Sequence, residues 1–188
     1  MAWLELLKTM DIDKSIPFEM DKDIKRLAQV TDRFSKIGAK TNLKEVNLVT
    51  TISDLLLYLE NRVSKKIDIK FEPENKNIVI PHNPPLLEWV IENICKNAID
   101  AMENEGTLTI KITQKPNKVY IDISDTGKGM TPKQSRSVFQ PGFTTKKRGW
   151  GLGLSLAKRI IKEYHKGKIF VLQSEVGKGS IFRVVLWR

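Results

Sequence analysis

The chain has 188 residues, 40% of them hydrophobic and 29% charged, which suits one ordinary globular domain plus an appendage. No apolar run approaches the ~18 residues that span a bilayer, and no signal-peptide pattern opens the chain. The net charge of +10 leaves nucleic acid, an anionic membrane or an anionic small ligand as partner classes, while the single cysteine, Cys95, excludes an intramolecular disulfide and suits a reducing, cytoplasmic setting.

Residues 1–8 read as the end of a helix and 11–17 as a turn. Across 19–38, Ile24, Leu27, Val30, Phe34 and Ile37 form one helical stripe that stops at Gly38. Two helices so close in sequence predict an antiparallel hairpin, and residues 1–45 are assigned to this N-terminal helical segment. Residues 46–188 form the second domain. It opens with a helix over 47–64, with Asn47 as its cap, and short strands over 67–71 and 77–80. Pro84 and Pro85 start a helix that runs to about Glu103. Alternation marks strands over 107–113 and 119–124. A loop, a helix over 151–164 and two strands, 167–173 and 180–186, complete the chain. Of the 32 basic and 22 acidic residues, 23 and 14 lie beyond Glu45, so the positive excess belongs to this domain. The fold class is α+β, a two-layer α/β sandwich preceded by a short helical segment.

Within the helix from Pro84, at 100° per residue from Asn93, the residues Leu87, Val90, Ile91, Ile94, Ala98, Ala101 and Met102 fall between about 60° and 180° and face the sheet. Cys95, with apolar helical neighbours, reads as a packed thiol. Asn93, Asn97 and Asp100 form a polar stripe along the edge of that arc, with Lys96 beside it, close enough to approach a phosphate too. Asparagine is a mediocre helix former, so two at i and i+4 call for an explanation. One is two solvated amides. The other is a magnesium–triphosphate site, in which a neutral amide oxygen completes an oxygen shell without adding repulsion.

The strand ending at Ser124 delivers Asp125 into Asp-Thr-Gly-Lys-Gly-Met (125–130). A carboxylate held ionised there only accepts hydrogen bonds, which selects an exocyclic amine such as that of adenine. Gly127 and Gly129 would let a base approach the backbone, and Met130 would pack on the ring. Alone, this motif is also ordinary turn chemistry. Phe139 and Phe143 then anchor a segment carrying Thr144, Thr145, Lys146, Lys147 and Arg148, followed by Gly149, Gly151, Leu152 and Gly153 ahead of a helix. Consecutive N–H groups before a helix N-terminus suit an anion. The P-loop, the dinucleotide fingerprint and the eukaryotic protein-kinase set are all absent.

In this order, the motifs resemble the ATP-binding domain of sensor histidine kinases. The N box is similar to residues 92–101, the first glycine box to 125–129, the F box to 139–143 and the second glycine box to 149–153. The last glycine-containing element resembles residues 177–182, with Ser180 where the family often has threonine near the base. The resemblance spans roughly residues 47–188. It implies a Bergerat-type fold with ATP held between helices and sheet under a flexible lid. It also implies Asn97 as magnesium ligand, Asn93 as its polar neighbour, Asp125 as adenine acceptor, Gly149, Gly151 and Gly153 at the phosphates, and Lys146 as the lid residue near them.

Residues 32–38 resemble the end of the second helix of the family's dimerisation and phosphoacceptor hairpin. The chain has two histidines, His82 and His165, and neither has the acceptor context. The resemblance therefore implies a chain that begins after the acceptor motif, either a fragment or a protein that binds ATP without its own acceptor. Such a chain would pass the ATP γ-phosphate to a histidine it does not contain and would not label itself. Related ATPases of gyrase, mismatch repair and the heat-shock chaperone carry a catalytic glutamate where Asn93 stands; Glu92 is one residue off and points about 100° away.

ATP and magnesium are the expected cofactors. The expected partners are a cognate response regulator and, in the intact parent, a second copy in a homodimer, with no nucleic acid and no membrane contact by this segment. Any membrane anchor of the parent would lie upstream. The alternatives are a conformational ATPase of the gyrase and chaperone type, a nucleic-acid module suggested by the charge, and an anti-sigma-type serine kinase.

Overall fold

The computed structural model describes residues 42–146 and 149–188. The helices and turn expected over residues 1–38, and Lys147 and Arg148, lie outside the described residues. In chain order the elements are β1 (Lys44–Asn47), α1 (Leu48–Glu60), β2 (Ile67–Pro73), β3 (Val79–His82), α2 (Pro84–Ala101), β4 (Gly106–Lys115), β5 (Lys118–Asp125), α3 (Pro132–Ser137), α4 (Gly153–Arg159), β6 (Lys168–Glu175) and β7 (Gly179–Trp187). A π turn over Ile160–Tyr164 continues α4.

Two-residue alternation builds the main sheet. In β4, Leu108, Ile110 and Ile112 are fully buried, and in β5 so are Val119 and Ile121, with Ile123 nearly so. These residues share the face on which the helices pack, while the intervening residues look outward. The strand order is β2-β4-β5-β7-β6. β2 runs parallel to β4 and every other pairing is antiparallel, so this is an α+β architecture of helices on a mixed sheet.

Helix α2 lies on this sheet through Leu87, Val90, Ile91 and Ile94, all fully buried. Its buried arc is wider than the stripe read from sequence, because α1 packs against it too. Cys95 and Ile99 are therefore buried as well, while Ala101 is only half-buried. Asn83 caps the helix, its side chain accepting from the Leu86 N–H at 3.1 Å.

Two elements were not expected. β1 pairs antiparallel with β3 as a separate two-stranded sheet, and it takes in Lys44 and Glu45, which the sequence grouped with the N-terminal segment. Asn47 closes β1 and caps α1, its side chain accepting from the Val49 N–H at 3.0 Å. The other element, α3, opens on a reciprocal capping box between Thr131 and Gln134 with proline at its start. The helix read as 151–164 begins later, at Gly153, and ends in the π turn.

Candidate functional site

Asp125 is the last residue of β5 and keeps the phase of Val119, Ile121 and Ile123, so its carboxylate points beneath the helices. It is only 4% exposed. Burial pushes its pKa up, and N–H bonds from Gly127 and Ser180 pull it back down; the Gly127 bond is 2.9 Å. Those two donors are the features that favour the ionised acceptor expected from sequence. Opposite it across β5 and β7 stands Ser180, whose hydroxyl lies 2.9 Å from that of Ser174. The Met130 N–H also donates to Ser174 Oγ, at 2.8 Å. Ser174 was not singled out in the sequence, although its register opposite Ser180 follows from the hairpin between β6 and β7.

The glycines of this turn have a more immediate duty than admitting a base. A β-carbon on Gly127 would come within 2.6 Å of the Ala101 carbonyl group, and one on Gly129, at φ +63°, would overlap the Glu175 carbonyl. The Lys128 N–H donates to the Ala101 oxygen at 3.0 Å and the Gly177 N–H to the Lys128 oxygen at 2.8 Å. The turn is thus clamped between the end of α2 and the hairpin joining β6 to β7.

Along the edge of α2 the predicted stripe is present. Asn93 Nδ2 donates to the Trp89 carbonyl at 2.8 Å, and its Oδ1 lies 2.8 Å from where a β-carbon on Gly153 would sit. Asn97 Oδ1 accepts from Lys146 Nζ at 2.8 Å, and the same ammonium donates to the Asp100 carboxylate. Lys146 is held in part by its own N–H, which donates to Thr144 Oγ1 at 3.1 Å. Thr145 is exposed. Lys96, read as close enough to approach a phosphate, pairs its Nζ with Glu92 at 2.6 Å. The same pair ties up the one glutamate near the position where the related ATPases hold a base.

The loop between these groups is closed by its own backbone. The Gly142 N–H donates to the Gly151 carbonyl at 3.1 Å, and Gly151, at φ +64°, packs against the Phe143 backbone so closely that a β-carbon would come within 2.5 Å of its carbonyl oxygen. Phe139 anchors the near side edge-to-face on Phe182, with ring centroids 6.2 Å apart, and Lys158 Nζ lies 5.6 Å from the Phe139 centroid. Gly149 lies beside Thr144 Oγ1. At the start of α4 the cap position is Leu152, which offers no side-chain bond to the first N–H groups; such groups suit an anion.

Helix α2 therefore acts as a ruler. Its C-terminal end carries the turn with Asp125, Gly127 and Ser180; its edge, about 12 Å back at Asn93, meets Gly153, with Asn97, Asp100 and Lys146 between. This spacing offers an amine acceptor at one end and cation- and anion-binding groups at the other. Among the described residues no three His, Cys, Asp or Glu side chains cluster as a metal site. The Asn97 Oδ1 nonetheless already accepts from a cation, the Lys146 ammonium, so it is an oxygen acceptor of the kind a magnesium ion takes.

Both histidines are structural. His82 is fully buried, with Nε2 3.1 Å from Thr51 Oγ1 and Nδ1 3.0 Å from the Ile80 carbonyl. His165 Nε2 accepts from the Asn83 N–H at 3.2 Å. Neither presents a nitrogen to solvent for phosphorylation.

Residues 82–188 match the family model described as histidine kinase-, DNA gyrase B-, and HSP90-like ATPase. Sporulation kinase C of Bacillus subtilis is 34% identical over 194 residues, covering 98% of this chain and 44% of the relative. Sensor histidine kinase ZraS of Salmonella typhi is 35% identical over 171 residues, covering 89% and 36%. The chain thus spans less than half the length of these curated relatives. The catalytic domain of histidine kinase ThkA, solved without nucleotide, superposes with a TM-score of 0.71 at 29% identity, over 77% of this chain and 95% of that one. No helix among the described residues is long and apolar enough to cross a membrane. The chain belongs to the histidine kinase-, DNA gyrase B- and HSP90-like ATPase family and carries the ATP-binding domain of its sensor histidine kinase members.

Proposed function

We propose that this domain binds ATP along the edge of α2 and transfers its γ-phosphoryl group to a histidine that this chain does not contain. In this reading Asp125 accepts the adenine amine, and the Ser180 N–H holds the carboxylate in place. Met130 packs on the base. Asn97 is the magnesium ligand and Asn93 its polar neighbour. Gly149, Gly151 and Gly153, with the N–H groups at the start of α4, receive the phosphates, and Lys146 accompanies the terminal one. Thr144 and Thr145 supply hydroxyl donors, and Phe139 fixes the loop that carries them. Bound magnesium supplies charge neutralisation to the phosphates.

The observation that carries the proposal is the convergence on α2 of a buried carboxylate at one end and an amide–ammonium pair along its edge. Transfer rather than hydrolysis is supported by the pairing of Glu92 with Lys96: among the described residues, the glutamate next to Asn93 is engaged by a cation. What remains is positioning and charge stabilisation, which suffice for phosphoryl transfer. In the intact parent, the acceptor histidine would sit on a helical hairpin, two copies would pair, and a response regulator on the cytoplasmic side would take the phosphoryl group onward.

Incubation with γ-labelled ATP tests this. The chain alone should bind nucleotide without acquiring acid-labile label, and a separately supplied histidine hairpin from the intact parent should become labelled in its presence. Histidine label on the chain itself would contradict the assignment of His82 and His165. Steady hydrolysis abolished by Glu92→Gln would move the function to the gyrase and chaperone type.

A further inference from the structure

The Lys146 ammonium is bonded to the same oxygen that the reading above gives to magnesium. It donates to Asn97 Oδ1 at 2.8 Å and to the Asp100 carboxylate, one turn further along α2. An ammonium has three donors and no acceptor, and two of the three are used here. A magnesium ion on Asn97 Oδ1 would sit about 2.1 Å from that oxygen. That leaves it within roughly 5 Å of the ammonium, a distance at which two like charges repel. The two cations therefore compete for this edge of the helix.

We propose that Lys146 is an internal cation that occupies the Asn97–Asp100 edge in the nucleotide-free chain and must leave before a magnesium nucleotide can use it. Asp100 is then a positioning residue: it holds the ammonium in place and so lowers nucleotide affinity. The inference rests on the nucleotide reading and adds a regulatory contact to it. The pair is well solvated, with the Lys146 and Asp100 side chains 42% and 56% exposed. Its effect is accordingly modest, about two- to fivefold in affinity at low ionic strength. It fades in about 1 M salt, where the screening length shrinks to about 3 Å.

A double-mutant cycle read by calorimetry tests this, with magnesium–ADP as the probe because it has no γ-phosphate for Lys146 to accompany. Asp100→Asn should tighten magnesium–ADP binding two- to fivefold when Lys146 is present. In the Lys146→Met background the same substitution should produce no tightening. The latch is overturned if Asp100→Asn leaves affinity unchanged or weakens it, or if it acts equally in both backgrounds. A folded wild-type chain that binds no magnesium–ADP would instead overturn the nucleotide site on which the latch depends.

Discussion

Gly153 stands against Asn93 so closely that a β-carbon on residue 153 would come within 2.8 Å of the asparagine Oδ1. The last glycine of the loop and the first asparagine of the polar stripe are thus packed on one another. The obstructing atom is the end of a side chain, and residue 153 begins a helix, where alanine is favoured over glycine by up to ~1 kcal/mol. Gly153→Ala should therefore leave the melting temperature within a few degrees of wild type while weakening nucleotide binding, because Asn93 must swing off its bond to Trp89. Paired thermal melts and nucleotide titrations check this. A large stability loss would mean that the contact is structural rather than functional.

Gly129→Ala should behave in the opposite way. Its φ of +63° disfavours any side chain, and the new methyl would run into the Glu175 backbone, which cannot rotate aside. The expected cost exceeds ~2 kcal/mol, read as a lowered urea midpoint, and nucleotide affinity would fall only as folding does.

Asp125→Asn separates binding from stability. Burial raises the Asp125 pKa, so its contribution favours folding below the unfolded carboxyl value and is lost as pH rises through the folded one. At neutral pH the charged carboxylate is a cost. Asparagine keeps an oxygen for the Gly127 and Ser180 N–H groups and has no charge to desolvate. The variant should melt at the wild-type temperature or above it at pH 7, with the difference closing in acid, and should lose adenine nucleotide binding. Melting curves from pH 3 to 8 provide the check.

The two histidines set a second pH dependence. Burial lowers the pKa of both His82 and His165, so the unfolded chain takes up protons first as pH falls below about 6.5. Their stabilising contribution is complete above that value and is lost on acidification toward the folded pKa values, at up to ~1.4 kcal/mol per pH unit for each histidine. Protonated His165 would also turn a donor toward the Asn83 N–H that it now accepts, disturbing the residue that caps α2. Urea unfolding between pH 5 and 8 should show this slope, and His165→Gln should reduce it.

Cys95 should be inert. Its thiol is fully buried, and burial pushes its pKa up to about 12. A thiol-reactive dye should label the native chain only at the rate of unfolding and label it at once in denaturant.

Asp125 was legible in the sequence because an alternating strand ends there and a glycine-rich turn begins; its burial follows the two-residue phase of Val119, Ile121 and Ile123, which it continues. The asparagine stripe was legible because helical spacing fixes angles around an axis. Other features depend on contacts between distant segments. β1 is four residues long with two charges and exists only through its pairing with β3. The bond from Lys146 to Asn97 joins residues 49 apart in sequence, and no local pattern encodes it. The clamping of Gly127 and Gly129 by α2 and by the hairpin between β6 and β7 was invisible for the same reason, so the sequence pointed only to a ligand or an ordinary turn as the reason for glycine there. The capping box of α3 was readable in Thr131-Pro132-Lys133-Gln134 and was overlooked.

The most direct test is calorimetric titration of the folded chain with magnesium–ATP. The account predicts one site, with binding abolished by Asp125→Asn and weakened at least tenfold by Asn97→Ala. No heat of association for the folded wild-type chain, or full binding by both variants, would contradict it.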